Sequence, residues 1–509
     1  MSATTLDGRR LVVAFTALLF VNTMSGVDST IVATAAPTIT ADLGRLTLLP
    51  WLSSAYLLAQ IGTIPLYGAL GDRFGRKRVL LGAAGLFLVT SMLCGLAQSM
   101  PQLVAFRALQ GAGAGGLAGL TMALVADIAP PAKLGRYLGY AGLVFALTFI
   151  VGPLTGGLFV DHLSWRWAFF INVPAGLLGG AFVLALVPSA RASAARTIDF
   201  AGIALLAATT TTTVLATSWG GVEYDWDSPV MLFLVAAAIT AALGFVAWER
   251  RAPNPLIPLA VVRDRTIALA IVSNFIAGCG FTTAIVFLPV MFQAVAGMNA
   301  TESGALLIPL GLGTALTTAA VGRIVEHAGG AKAIPALGMM LAIGAYAVLG
   351  TITVDSTAAY AATAGVFLGI GVGCVFQTML FIVQRSVTIV HLGIVSSTVM
   401  LARLFGSALG VALFGSIFNN HLDGSFTGLP DLDLASLRGD PETIAALEPA
   451  LRHDVSEAFA GALAAGFRVF VVVMFVGLVS VVLQRASVIR ARITAPVTDL
   501  AAVPAVVPQ

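Results

Sequence analysis

The 509-residue sequence predicts an all-α membrane protein of fourteen transmembrane helices, and three observations predict it. Hydrophobic residues make up 58% of the chain and charged residues only 10%, against roughly 25% charged in a soluble globular protein. That balance excludes an ordinary soluble enzyme, a disordered tail protein and a nucleic-acid binder. Fourteen runs reach the roughly 20 apolar residues that a helix needs to cross a hydrocarbon core of about 30 Å, and they lack the strict alternation of transmembrane strands. With the amino terminus inside, 20 of the 27 Lys and Arg fall in cytoplasmic segments and four outside, the positive-inside pattern.

The first run, 11 to 36, follows Arg9 and Arg10. It is longer than a signal-peptide core and no Ala-x-Ala type of cleavage site follows cleanly before Pro37, so it is expected to be a permanent span. It carries Asp28, the one acid inside a span. An ionised carboxylate in hydrocarbon is expensive, so Asp28 must face a cavity or a partner, or be protonated. Runs at 50 to 70 and 79 to 99 flank the basic loop GALGDRFGRKR, Gly68 to Arg78. The run at 102 to 126 carries Arg107. Counted inward from Pro37 and Pro101 at 1.5 Å per residue, Asp28 and Arg107 lie at matching depth, roughly 9 to 14 Å, which makes Arg107 the candidate partner; a buried pair that only fixes packing is the other reading. The run at 138 to 160 contains Gly152, Pro153, Gly156 and Gly157, a kink and a flat face for close helix approach. Runs at 167 to 187, 200 to 219, 229 to 248, 267 to 292, 303 to 322, 334 to 353, 358 to 383, 393 to 418 and 460 to 483 complete the set. Arg403 in the thirteenth run is expected to meet a carbonyl or an anionic cargo, and Arg468 in the last to snorkel to headgroups. Three cysteines, all within spans, imply no disulfide framework.

The segment GRIVEHAGGAK, Gly322 to Lys332, is a degenerate echo of the basic loop: Gly68, Asp72 and Gly75 are answered by Gly322, Glu326 and Gly329 at an offset of 254. Both loops follow the second span of a six-span block. The repeat divides the chain into an N-terminal six-helix bundle (1–190), an inserted pair of helices (191–265), a C-terminal six-helix bundle (266–484) with an extracytoplasmic loop at 419–458, and a cytoplasmic tail (485–509). Two bundles that rock about a central site form a transporter architecture. At the same offset Asp28 corresponds to Thr282, and the twelfth span holds no Lys or Arg, so the buried charge pair is expected in the first half alone.

These residues carry a family resemblance over nearly the whole chain. Gly68, Leu70, Asp72, Arg73, Gly75, Arg76 and Lys77 resemble the loop motif of the major facilitator superfamily, and Arg107, Gln110 and Gly111 its fourth-span motif. Gly152, Pro153, Gly156 and Gly157 resemble the fifth-span motif of antiporters. Asp28, Thr30, Ala35 and Pro37 resemble the first-span motif of drug:proton antiporters, and Trp165, Arg166, Trp167, Phe170, Asn172 and Pro174 the sixth-span signature of the fourteen-span subfamily. Ala33 stands where Asn is usual and Thr148 where Gly is usual. The resemblance implies the major facilitator fold, Asp127 as a partner of Arg76, and a cavity lined by spans 1, 2, 5, 9 and 10. Asn22, Tyr56, Gln60, Phe149, Asn274, Phe281 and Phe287 are its candidate lining residues, with Arg403.

The expected function is proton-driven export of lipophilic or amphipathic compounds, that is, multidrug efflux by alternating access. Asp28 and Arg107 would couple the proton, and the loop from Gly68 to Lys77 would latch one state, with Asp72 against the amino terminus of span 13 near Gly393. The expected partners are protons, small lipophilic or cationic molecules and the bilayer, with no cofactor, metal or nucleic acid. The chain is expected as a monomer in the inner (plasma) membrane with both termini cytoplasmic. A dedicated exporter of a native metabolite, antibiotic or lipid remains the alternative; a sensor or scaffold would need neither Asp28 nor the loop. No Gly-x-x-x-x-Gly-Lys-[Ser/Thr] loop for ATP occurs, and no enzymatic constellation is expected.

Overall fold

The computed structural model describes residues 8–128, 148, 151–188, 199–221, 223–252, 255–256, 262–328, 332–384, 386–387, 392–426 and 448–484. Phe149, the start of the fifth predicted span and most of the long loop at 419–458 lie outside them. Among the described residues the chain forms fourteen helices: α1 (Gly8–Leu43), α2 (Leu49–Phe74), α3 (Arg76–Gly95), α4 (Met100–Ile128), α5 (residues 151–162), α6 (Trp167–Leu186), α7 (Phe200–Trp219), α8 (Pro229–Glu249), α9 (Arg265–Val290), α10 (Ala300–Ala328), α11 (Ala333–Leu349), α12 (Ala358–Gln384), α13 (Leu392–Phe426) and α14 (Pro449–Val482). Ten are long and apolar enough to cross a membrane; α2, α5, α10 and α11 fall short of that measure, α11 having 17 residues.

Local chemistry explains the boundaries. The Met231 amide donates to Ser228 Oγ ahead of Pro229, and the Thr266 and Ile267 amides donate to Asp264, so polar caps satisfy amides that a helix start leaves unpaired. Gly75, at φ +95°, turns the chain between α2 and α3, a conformation that only glycine adopts without strain. After Pro289, α9 runs on as one π-helical turn, Met291–Val295.

Helices α1, α2, α3, α4 and α6 pack on one another, as do α9 to α14; α2 also meets α13, and α1 meets α9 and α10. The inserted α7 lies on both α2 and α13, while α8 touches mainly α7 and exposes Leu232, Phe233 and Leu243. One end of the helices is the basic face, with Arg73, Arg76 and Lys77; the other, with Asp42, Asp161 and Glu302, is the acidic face.

The internal repeat is built from glycine contacts more than from the loops. A Cβ on Gly111 would stand 2.1 Å from Tyr56 O, and on Gly369 2.1 Å from Leu310 O; Gly115 and Gly373 meet α2 and α10 in the same way. Gly95 abuts Phe170 as Gly350 abuts Arg468, and Gly152 and Gly156 approach α1 as Gly406 and Gly410 approach α9. The offset therefore changes along the chain. It is 248 between α1 and α9, 254 between α2 and α10, 255 between α3 and α11, and 258 between α4 and α12. Lys77 Nζ donates to the carbonyls of Leu184 and Val187, and Lys332 Nζ to that of Val482, each closing the carboxyl end of a helix. The partner of Lys332 in the repeat is thus Lys77, one place from the constant offset of 254. By the same packing the counterpart of Asp28 is Ile276, which corrects Thr282: loops of unequal length broke the register that a constant offset assumes.

Candidate functional site

Asp28 sits in α1 beyond reach of solvent, 0% exposed, and Arg107 in α4 is 1% exposed. Arg107 Nη1 donates to Asp28 Oδ2 at 2.5 Å. Gln110 Nε2 and Asn172 Nδ2 both donate to Asp28 Oδ1, at 2.8 and 2.7 Å. Three donors on two oxygens is the pattern of an ionised carboxylate, which only accepts. Behind them, Ser91 Oγ receives Gln110 and Asn172 and donates to Phe169 O. Arg107 is satisfied as fully: its Nε donates to Leu52 O at 3.0 Å, its Nη1 also to Gln110 Oε1 at 2.8 Å, and its guanidinium lies 4.2 Å from the Tyr56 ring centroid. Tyr56 OH donates in turn to Ser25 O. Five helices thus contribute to one closed network, which needs α1, α2, α3, α4 and α6 all in place.

Among the described residues the second half carries no such network at the matching positions. At the offsets fixed by packing, Asp28, Ser91, Arg107, Gln110 and Asn172 correspond to Ile276, Tyr346, Gly365, Leu368 and Phe470. There Tyr346 packs on Phe470, ring centroids 5.4 Å apart, and donates to Gly280 O at 2.5 Å.

On the basic face Arg76 holds two acids. Its Nη2 donates to Asp72 Oδ1 at 2.8 Å and its Nη1 to Asp127 Oδ1 at 2.6 Å. Burial pushes the Asp127 carboxyl up, against the attraction of Arg76. Asp72, expected against the amino terminus of the thirteenth span near Gly393, is bonded to Arg76; residues 388–391, just before that helix, lie outside the described residues. Gly71 sets the spacing, since a Cβ there would stand 2.6 Å from Leu120. Gly68 has open space around it and Arg73 lies over the Phe74 ring.

The acidic face has a contact that the sequence reading did not anticipate. Asp161, at the end of α5, accepts from the amides of Ala300 (3.1 Å) and Thr301 (2.8 Å), so a carboxylate of the first half caps the first turn of α10 in the second. Around it a Cβ on Gly157 would stand 2.3 Å from Thr301 Cα, and one on Gly304 2.3 Å from Pro153 O. Gln293, in the π turn, donates to Thr34 O at 3.1 Å. Further along, Ser54 donates to Ala408 O and Asn419 to Thr47 O. These hydrogen bonds join the halves at the acidic face. Asp42 also escaped notice: it accepts from Trp165 Nε1 and Arg166 Nη1, which gives the Trp165–Arg166 pair a structural use.

The expected cavity residues divide. Tyr56 is 2% exposed under Arg107, and Phe287, 0% exposed, packs 4.3 Å from Phe414 in an aromatic core, so neither faces open space here. Gln60 and Asn274 are buried, and Asn274 donates within its own helix. Phe281 packs edge-on to Phe376. Asn22 and Arg403 are half-buried, and Arg403 lies over the Phe376 ring at 4.8 Å. Arg468 donates to Gly350 O and is exposed. A recess of about 200 Å³ between α2, α7, α9 and α13 is lined by apolar atoms, among them those of Ile61, Leu206, Leu401 and Phe405.

Comparison with known proteins agrees with this geometry. The family model described as the Major Facilitator Superfamily matches residues 18–411. An uncharacterized MFS-type transporter of Mycobacterium tuberculosis is 35% identical over 471 residues, 92% of this chain and 67% of the relative. Multidrug resistance protein 3 of Bacillus subtilis is 33% identical over 428 residues, 83% of each chain. Among solved structures, a bacterial homolog of the human lysosomal transporter Spinster, in an inward-facing and occupied conformation, superposes with a TM-score of 0.66 at 17% identity, covering 95% of this chain and 98% of that one.

Proposed function

The chain belongs to the Major Facilitator Superfamily, a family of transporters, and is a multi-pass membrane protein; within that family we propose that it is a proton-coupled antiporter that exports lipophilic or amphipathic small molecules by alternating access, with fourteen transmembrane spans. The observation that carries this reading is the sealed Asp28–Arg107–Gln110–Asn172 network, a titratable carboxylate inside the membrane with a cation matched to it. The multidrug resistance protein that resembles this chain supports the choice of cargo.

In this reading the basic face is cytoplasmic, and contact of the halves at the acidic face makes the described state the inward-facing one. The cycle needs two exclusive closures. One is the acidic-face seal of Asp161, Gly157 and Gly304; the other brings the basic face together and uses the Asp72, Arg76 and Asp127 cluster to brace α2 against α4. Protonation of Asp28 removes the charge that Arg107, Gln110 and Asn172 all address, which loosens α1 from α4 and α6 and changes which closure is favoured. Because the second half has Ile276 and Leu368 at the matching places, one half holds the coupling proton.

Efflux of a fluorescent lipophilic probe from cells expressing wild type or Asp28→Asn, with and without a protonophore, tests the proposal. Export that needs both the gradient and Asp28 is expected. Equal export by Asp28→Asn at equal membrane abundance removes Asp28 from the coupling step.

A further inference from the structure

Taking the export reading as its premise, we propose that Arg403 is the charge-recognition residue of the cargo site and that it selects amphipathic monoanions, molecules with an aromatic or aliphatic body and one carboxylate. Two cations lie deep within the helices, and they are treated differently. Arg107 has a carboxylate, an amide oxygen and a backbone carbonyl. Arg403 has no hydrogen bond or ion pair among the described residues; its guanidinium lies over the Phe376 ring at 4.8 Å. It sits eleven residues into α13, about 16 Å from the start of that helix, and is half-buried. A guanidinium at such depth without a counter-charge is costly, and contact with one ring offsets only part of that cost.

The surroundings match a specific kind of molecule. Phe376 and Phe281, edge-on with centroids 5.9 Å apart, form an aromatic wall beside the guanidinium. One turn along α13, Ser407 Oγ receives Thr282 Oγ1 at 2.8 Å, and Ser407 also donates to Gly278 O at 3.3 Å. Ser407, four residues from Arg403 along α13, and the half-buried Thr282 of α9 thus add a pair of hydroxyls one turn from the guanidinium. Asp28 is no competitor for a cationic cargo, because it is sealed and already accepts three hydrogen bonds. The charge offered between the helices is therefore positive, and a planar carboxylate suits the two-pronged guanidinium.

The test uses full-length protein and two matched probes, pyrenebutyrate and its uncharged amide. Binding is read from pyrene fluorescence on purified wild type, Arg403→Gln, Arg403→Lys and Asp28→Asn. Arg403→Gln should weaken pyrenebutyrate binding roughly ten- to hundredfold, the loss of a charge-assisted hydrogen bond, while amide binding changes less than threefold. Arg403→Lys, which keeps the charge and guards against a folding defect, should retain part of the preference. Asp28→Asn should lose gradient-driven export of the probes yet keep the preference for pyrenebutyrate over its amide, so that failure of coupling and failure of recognition are told apart. Equal weakening of both probes by Arg403→Gln, unchanged pyrenebutyrate binding in that variant, or no preference of wild type for the carboxylate each overturns the inference.

Discussion

Adding one methyl group at Gly304 should open the acidic face. Its Cβ would stand 2.3 Å from Pro153 O, about 1 Å inside ordinary contact, and the obstructing atom is backbone on a helix of the other half. The two helices must separate, and with them go the amide bonds of Ala300 and Thr301 to Asp161. An extra methylene in a packed interface costs about 1 to 3 kcal/mol. The strain exists only while the halves touch, so it acts wholly on the equilibrium between states and shifts it about 5- to 150-fold toward the form open at the acidic face. The assay is a distance measurement between spin labels at Leu163→Cys and Thr351→Cys, exposed sites at that face in opposite halves, in a background without Cys94, Cys279 and Cys374. Gly304→Ala should move the distribution to longer distances. Gly82→Ala, where a Cβ meets nothing within 4 Å, should leave it in place. A folded Gly304→Ala protein with the wild-type distribution refutes the acidic-face seal.

Asp161→Asn should act in the same direction more weakly, by the roughly 0.5 to 2 kcal/mol of a helix cap, read by the same labels. Gly111→Ala, whose Cβ would meet Tyr56 O at 2.1 Å, should lower the thermal midpoint of the purified protein, and Gly369→Ala should do so equally because Leu310 O stands at the same distance; a midpoint unchanged in both would contradict the shared packing. Lys77→Ala should cost about 0.3 to 1 kcal/mol by uncovering the carbonyls of Leu184 and Val187, detectable as a lower denaturation midpoint. Burial raises the Asp127 carboxyl above its usual range, so the folded state holds that proton more tightly than the unfolded chain does. Stability from this group is present at low pH and lost as pH rises through the raised value. The difference in thermal midpoint between wild type and Asp127→Asn should therefore shrink as pH falls from about 7 to 4, and a constant difference would contradict it.

Helix positions were legible because lipid leaves a helix little freedom in length or composition; the predicted 200 to 219 and 229 to 248 coincide with α7 and α8 to within a residue. The pairing of Asp28 with Arg107 was legible from depth alone, since two opposite charges at one level in hydrocarbon have few other partners. The other ligands were harder to see. Gln110, three residues from Arg107 on one helix face, and Asn172 entered the sequence reading only as parts of family motifs and not as ligands of Asp28. Ser91 gives no signal, because a serine in a membrane helix usually bonds its own backbone. The glycine runs GAGAG at 111–115 and GIGVG at 369–373 were a stronger mark of the repeat than the loop echo. They were missed because the register between them is 258, one helical turn beyond the 254 of the loops. Asp161 was unreadable because its partners are backbone amides of a distant helix.

The closure around Asp28 bears on what the protein does at rest. A proton travels through a membrane along chains of water or exchangeable side chains, and here every polar contact of the carboxylate is made by an Arg, Gln or Asn side chain, with no surface open to water. Among the described residues, then, no polar path leads from solvent to Asp28 in this state. In the proton-coupled reading proposed above, cells that hold many copies would lose little of their proton-motive force to slippage, the remaining leak being set by how often α1 parts from α4 and α6.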